Sequence, residues 1–168
     1  MVETALLLPI LMLLMMVSDD FGRIFYYSIA TTNAAREGAR QGVYYDPANM
    51  ANHYASDNAD SIYSAVVAEL PTGSGAINPV KIGPGDPRNC PVRPYAPSLY
   101  PDDSQLGNTA YVSICFNEDP NAVTAQPGQT VRVSILYRFA PVTPIPQMVG
   151  ISSLNVDATT VMVVQAAS

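Results

Sequence analysis

Charge is scarce in this chain. Charged residues fill 13% of its 168 positions, about half the share of an ordinary soluble domain. Eight Lys and Arg stand against fourteen Asp and Glu, for a net charge of −6. So few cations cannot neutralise a nucleic-acid backbone, which excludes that class of partner. Tryptophan is absent and histidine occurs once, at His53. A catalytic histidine needs an orienting carboxylate and a nucleophile. Asp57 is one helical turn from His53 and nothing else converges on it, so His53 reads as a solvated helix position. Gly73-Ser74-Gly75 falls short of a phosphate-binding loop. Asp102-Asp103 and Glu118-Asp119 carry oxygen ligands without the spacing of a calcium loop. No catalytic, cofactor-binding or metal residue is expected, and no small-molecule substrate.

Cysteine is almost as rare. Cys90 and Cys115 allow either one intramolecular disulfide or two free thiols. A membrane-directing N-terminus and a Pro-rich stretch between the two favour the disulfide.

Basic residues are missing from the start of the chain: none precedes Arg23. A secretory signal peptide, with its basic opening and small-residue cleavage site, is therefore not indicated. Residues 5–17 run without a polar side chain. From Thr4 to Val17 the helix would be about 21 Å long, short of the roughly 20 residues that cross a bilayer. Helical patterning continues through Phe21, Ile24, Phe25, Ile29 and Ala30. Glu3 stands at the mouth of the apolar run. Two readings fit it: a neighbouring chain's N-terminal ammonium neutralises it inside a helix bundle, or it lies at the membrane interface where the helix dipole favours a carboxylate.

Residues 19–45 carry more information. Asp19 and Asp20 precede Arg23 by four and three residues and can pair with it on one helix face. Ala30, Ala34, Gly38 and Gly42 recur every fourth residue, a stripe that admits another helix at close range. Each glycine costs about 1 kcal/mol of helix propensity against alanine, so the close approach is needed, within the chain's own head or against another subunit. Phe25, Tyr26 and Tyr27 fit an interfacial aromatic belt or a core equally well.

Three motifs now coincide. Val2-Glu3-Thr4-Ala5-Leu6-Leu7-Leu8-Pro9, then Phe21-Gly22-Arg23, then Asn33-Ala34-Ala35-Arg36-Glu37-Gly38-Ala39-Arg40 resemble the TadE-like family of tight-adherence pilus proteins over roughly the first 45 residues. Pro141-Val142-Thr143-Pro144-Ile145-Pro146 resembles that family's closing segment. The resemblance implies a prepilin-type protein of the bacterial envelope without enzymatic activity, cut by a prepilin peptidase and handled by a pilus assembly machinery. The acidic residue stands third here, whereas better-known type IV pilins carry it fifth, and no basic leader ending in glycine precedes it. The chain thus reads as a mature form or as one whose first residues are missing.

Beyond the N-terminal helix, Asp46-Pro47 marks a break. Residues 50–70 read as a second helix with Ala55, Ala59, Ile62, Val66 and Leu70 on one face. Residues 72–101, rich in Pro and Gly, read as a loop with one short strand at 80–82, stapled through Cys90. Strands are expected at 110–116, 131–139 and 154–164, the second placing Val131, Val133, Ile135, Tyr137 and Phe139 on one face. Gln126-Pro127-Gly128-Gln129 reads as a turn. The expected fold is α+β and type IV pilin-like: an N-terminal membrane or filament-core helix over 1–45, and an extracytoplasmic head over 46–168 with an antiparallel sheet packed on the helix.

The expected function is a structural pilin subunit, major or minor. It waits in the inner membrane with its head outside the cytoplasm, then polymerises with itself or with other pilins into an extracellular fibre. Glu3, Leu6, Leu7, Leu8, Pro9, Phe21, Gly22 and Arg23 would serve the filament core and its assembly. Ala30, Ala34, Gly38 and Gly42, with Arg36 and Arg40, would set packing and register. The rival is a membrane-anchored adhesin or assembly scaffold that never polymerises.

Overall fold

The computed structural model describes residues 2–45, 61–72, 76–90, 108–143, 146, 148, 150 and 153–166, with the backbone alone at 2–6, 45 and 166. Its first element, α1 (Val2–Val43), is a single helix of 42 residues, about 63 Å long at the usual rise. Leu, Met and Ala dominate its composition and favour it. Pro9 stands inside it and withholds one backbone donor. The helix has two unlike halves. Along residues 7–16 every large apolar side chain is exposed. From Asp20 onward one face is buried, through Tyr27, Thr31, Ala34, Ala35 and Ala39, at the three-to-four-residue spacing of an amphipathic helix. The buried Thr31 hydroxyl donates to the Tyr27 carbonyl at 2.9 Å, so no donor is orphaned there.

β1 (Tyr44–Tyr45) follows directly and pairs in parallel with β6 (Gln165–Ala166), tying the end of α1 to the C-terminal stretch. A second helix, α2 (Ile62–Glu69), starts at Ser61, whose side chain accepts from the Ser64 N–H at 3.0 Å, as an N-cap does. Leu70 closes it and Pro71 prevents its continuation. The helix expected over 50–70 is seen from residue 62; its earlier part lies outside the described residues.

Four strands form the sheet: β2 (Asn78–Ile82), β3 (Thr109–Phe116), β4 (Thr130–Phe139) and β5 (Leu154–Val163), side by side in that order. β3 pairs antiparallel with β4, and β4 with β5, in a register that aligns Val112, Ile135 and Ala158. The β3–β4 connection contains the anticipated turn, with the Gln129 N–H bonded to the Gln126 carbonyl at 3.0 Å and Gly128 at φ +87°. β2 departs from expectation by running parallel to β3, so the sheet is mixed rather than antiparallel. Residues 83–108 separate the two strands, and a connection of that length permits the crossover that a parallel pair requires.

The core lies between the sheet and the helices. Val131, Val133, Ile135, Tyr137 and Phe139 of β4 are buried together with Ala34, Ala35 and Ala39 of α1 and Ile62 and Val66 of α2. α1 enters this layer through glycine. A Cβ at Gly38 would run into Val66 Cγ2, and one at Gly42 would stand 2.9 Å from Val131 Cγ2 and 3.0 Å from Ile62 Cδ1. The small-residue stripe thus serves contacts within the head.

The opposite face of the sheet is covered in part by residues 83–90. Cys90 is joined to Cys115 of β3 by a disulfide. Beside it, buried Asn89 accepts from the Ser113 hydroxyl at 2.8 Å and donates to the Pro120 carbonyl at 2.9 Å. This flap therefore has its own covalent and polar anchors.

Candidate functional site

Where the two halves of α1 meet, a buried carboxylate is bonded to a segment distant in sequence, beside the exposed apolar surface. Asp20 is buried at 5% exposure. Its carboxylate accepts from the Val142 and Thr143 backbone N–H groups, each at 3.2 Å, and from the Thr143 hydroxyl. Arg23, one turn later, lies 3.8 Å away and sits over the Phe139 ring at 5.4 Å. Burial pushes the Asp20 carboxyl up, but the hydrogen bonds from Thr143 and Val142 and the charge of Arg23 outweigh it. The group therefore titrates below its ordinary value and is held as the anion.

Below this clasp the packing is aromatic. Tyr27 of α1 meets Tyr137 at 5.0 Å and Phe139 at 6.0 Å between ring centroids. The Tyr137 hydroxyl donates to Asn108 at 2.8 Å. Of the three neighbouring aromatics, Tyr27 is core, whereas Phe25 and Tyr26 are exposed. Phe21, Phe25 and Ile29 form a continuous exposed apolar line at intervals of four, leading back into the projecting half of the helix.

That half exposes Leu7, Leu8, Ile10, Leu11, Met12, Leu13, Leu14, Met15 and Met16 by between 46% and 76%. A groove of about 760 Å³ runs beside it, lined among others by Met12, Met15, Met16, Gly22, Tyr26 and Thr143. Gly22 has nothing within 4 Å of where a Cβ would stand, so its surface is open to an approaching backbone. Among the described residues no helix is long and apolar enough to cross a membrane.

The residues singled out by sequence fall in three places. Leu7, Leu8, Pro9, Phe21 and Gly22 are exposed on α1, and Arg23 is half-buried at the clasp. Glu3 and Leu6 belong to the helical backbone, and their side chains lie outside the description. Ala34, Gly38 and Gly42 are buried against the head and Ala30 is half-buried beside them. Arg36 and Arg40 are exposed, away from that packing; Arg40 donates to Glu37 on its own helix at 2.8 Å. Glu37 is lowered by that hydrogen bond and charge against a smaller desolvation.

His53, Asp57, Asp102, Asp103 and Gly73-Ser74-Gly75 lie outside the described residues. Glu118 forms an ion pair with Arg132. Among the described residues no three His, Cys, Asp or Glu side chains gather into a metal-binding group.

Sequence reasoning missed the Asp20–Thr143 clasp. Both ends were visible, one in the acidic-Phe-Gly-Arg junction and the other in the Pro-Val-Thr-Pro segment. Nothing in their spacing joined them.

Residues 1–40 match the family model of TadE-like proteins. This stretch covers the projecting half of α1, the clasp residue Asp20 and most of the helix face that enters the core; residues 41–168 lie beyond the match. No curated protein matches the chain, and no solved structure does.

Proposed function

We propose, from a TadE-like N-terminal segment that continues into the head as one helix, that this chain is a pilin-like structural subunit. The observation that carries the reading is the exposure of residues 7–16. Nine large apolar side chains there have no partner among the described residues, far more than a monomeric soluble surface tolerates. Covering them is worth on the order of 10 kcal/mol, and two environments can do so: lipid before assembly, and the helices of neighbouring subunits afterwards.

In this reading the subunit waits in the inner membrane with its head outside the cytoplasm, where a disulfide such as Cys90–Cys115 persists. A prepilin peptidase processes it, and the assembly machinery withdraws it into a fibre of like subunits or of other pilins. The apolar run is short for an isolated span, and the exposed Phe21 and Phe25 continue an apolar line beyond it along the helix. The chain carries no enzymatic activity in this reading and needs no cofactor. The rigid head presents the fibre's outer surface.

Electron microscopy of fibres sheared from producing cells, with mass spectrometry of their content, tests the reading. Fibres containing this chain are expected, and its N-terminal peptide will give the processing site. Fibres free of it, with the chain left wholly in the membrane, would establish instead the anchored adhesin or scaffold.

A further inference from the structure

The clasp has a consequence for the anchored state, and the inference rests on that part of the proposed function. Val17 is the last residue of the apolar run. Asp20 follows it by three residues, about 4.5 Å along the helix axis. The headgroup layer on each side of the hydrocarbon is itself roughly 5–8 Å deep, so Asp20 stands within that layer when the run is inserted. Because Asp20 holds the Val142 and Thr143 N–H groups at 3.2 Å, the chain leaving β4 is fixed at the same height. Thr143 also lines the groove that Met12, Met15 and Met16 border, which places the connection against the side of the apolar helix.

The chemistry of this short segment suits a lipid boundary. Residues 141–144 read Pro-Val-Thr-Pro. The two prolines have no N–H, and the two remaining N–H groups are both bonded to Asp20. No backbone donor in the segment is therefore left without an acceptor, which lowers the cost of bringing it into a less hydrated layer. Its apolar side chain is directed outward: Val142 is 69% exposed. Tyr26, exposed at the same end of the head, is a residue type that favours the membrane interface, and Phe21 is exposed there too. Val123, in the β3–β4 connection, belongs to the far end of the sheet and is also exposed.

We propose that residues 141–143, where the chain leaves β4, are a second membrane contact: Val142 rests in the headgroup interface of the bilayer beside Phe21, and the Asp20 clasp sets the height and tilt of the head above the membrane. The helix then anchors the chain, while the connection limits how deeply and at what angle it sits.

The test uses the full chain with its disulfide intact, bearing one added cysteine labelled with an environment-sensitive nitrobenzoxadiazole dye. L11C reports on the anchor, V142C on the connection and V123C on the far end. In phosphatidylcholine–phosphatidylglycerol vesicles, L11C and V142C are expected to shift their emission to the blue. V142C should be quenched more by a spin label near the headgroups than by one deep in the acyl chains, and V123C should remain unshifted. Adding D20N should abolish the V142C shift and leave that of L11C. A V142C label that behaves like V123C while L11C shifts overturns the second contact and leaves the anchor standing. Absence of any L11C shift removes the anchored state and this contact with it. A V142C shift that grows with protein concentration and needs no vesicle assigns the segment to a neighbouring copy and overturns the proposal.

Discussion

The carboxylate of Asp20 takes both the backbone N–H and the hydroxyl of Thr143, 123 residues later in the chain. It makes the point where α1 leaves the head a fixed joint rather than a swivel, because α1 and the end of β4 are locked at one level. Charge-assisted hydrogen bonds of this kind are worth more than neutral ones.

Asp20→Ala should therefore destabilise the head by about 1–3 kcal/mol, read by chemical denaturation of the detergent-solubilised chain. The effect depends on pH. The folded-state pKa is lowered, so the stabilisation is complete above the unfolded-state value of about 3.9 and is lost as pH falls through the folded one. The unfolding midpoints of parent and variant should converge as pH is lowered through that window. A gap that does not narrow as pH falls, for as long as the head stays folded, would show that the charge of Asp20 is not what stabilises the joint.

Two of the α1 glycines, Gly38 and Gly22, should separate by environment. Gly38→Ala sets a methyl against the stiff Val66 side chain, and overpacking of about 1–3 kcal/mol outweighs the helix propensity of roughly 1 kcal/mol that alanine returns. Gly22→Ala meets nothing within 4 Å and should be neutral or stabilising by up to about 1 kcal/mol. Urea unfolding of both variants checks the ordering, which fails if Gly38→Ala is the more stable of the two.

Cys90 and Cys115 close a loop of 25 residues in sequence. On the chain-entropy estimate a cross-link of that span contributes about 3.5 kcal/mol. The Cys90→Ser, Cys115→Ser double variant should melt at a lower temperature, and residues 83–90 should be cut faster by a protease, because non-covalent contacts such as Asn89–Ser113, Asn89–Pro120 and Gly85–Pro120 then hold the flap without the cross-link. An unchanged melting temperature would mean that these polar contacts suffice.

Leu11→Asp with Leu14→Asp places two charges on the projecting half of α1, where both leucines are exposed. Fibre formation and membrane retention should both fail. Unfolding of the head should change by no more than about 0.5 kcal/mol, as for exposed positions remote from the core. Loss of head stability would show instead that residues 7–16 pack on the head in solution.

Much of the architecture was written in local pattern. Residues 131–139 alternate so strictly that the core face of β4 was evident before any fold was known, since side chains on a strand point alternately to its two faces. The four-residue recurrence from Ala30 to Gly42 likewise identified a contact surface of α1, and the apolar run of residues 5–17 set the projecting half apart from the head. The N-terminal motifs were specific enough to indicate a TadE-like segment on their own.

Three matters were decided only by tertiary structure. The glycine stripe could have met another subunit or the chain's own head, and Val66 and Val131 settle it for the head. β2 joined the sheet in parallel, which its long connection to β3 permits, and a strand pattern carries no direction of pairing. Asp20 acquired its role from Val142 and Thr143, which reach it across the whole head. Periodicity reports the environment of one element, because each residue's direction follows from its own backbone. A carboxylate's partners depend on which distant segment the packed core brings beside it, and sequence spacing holds no record of that distance.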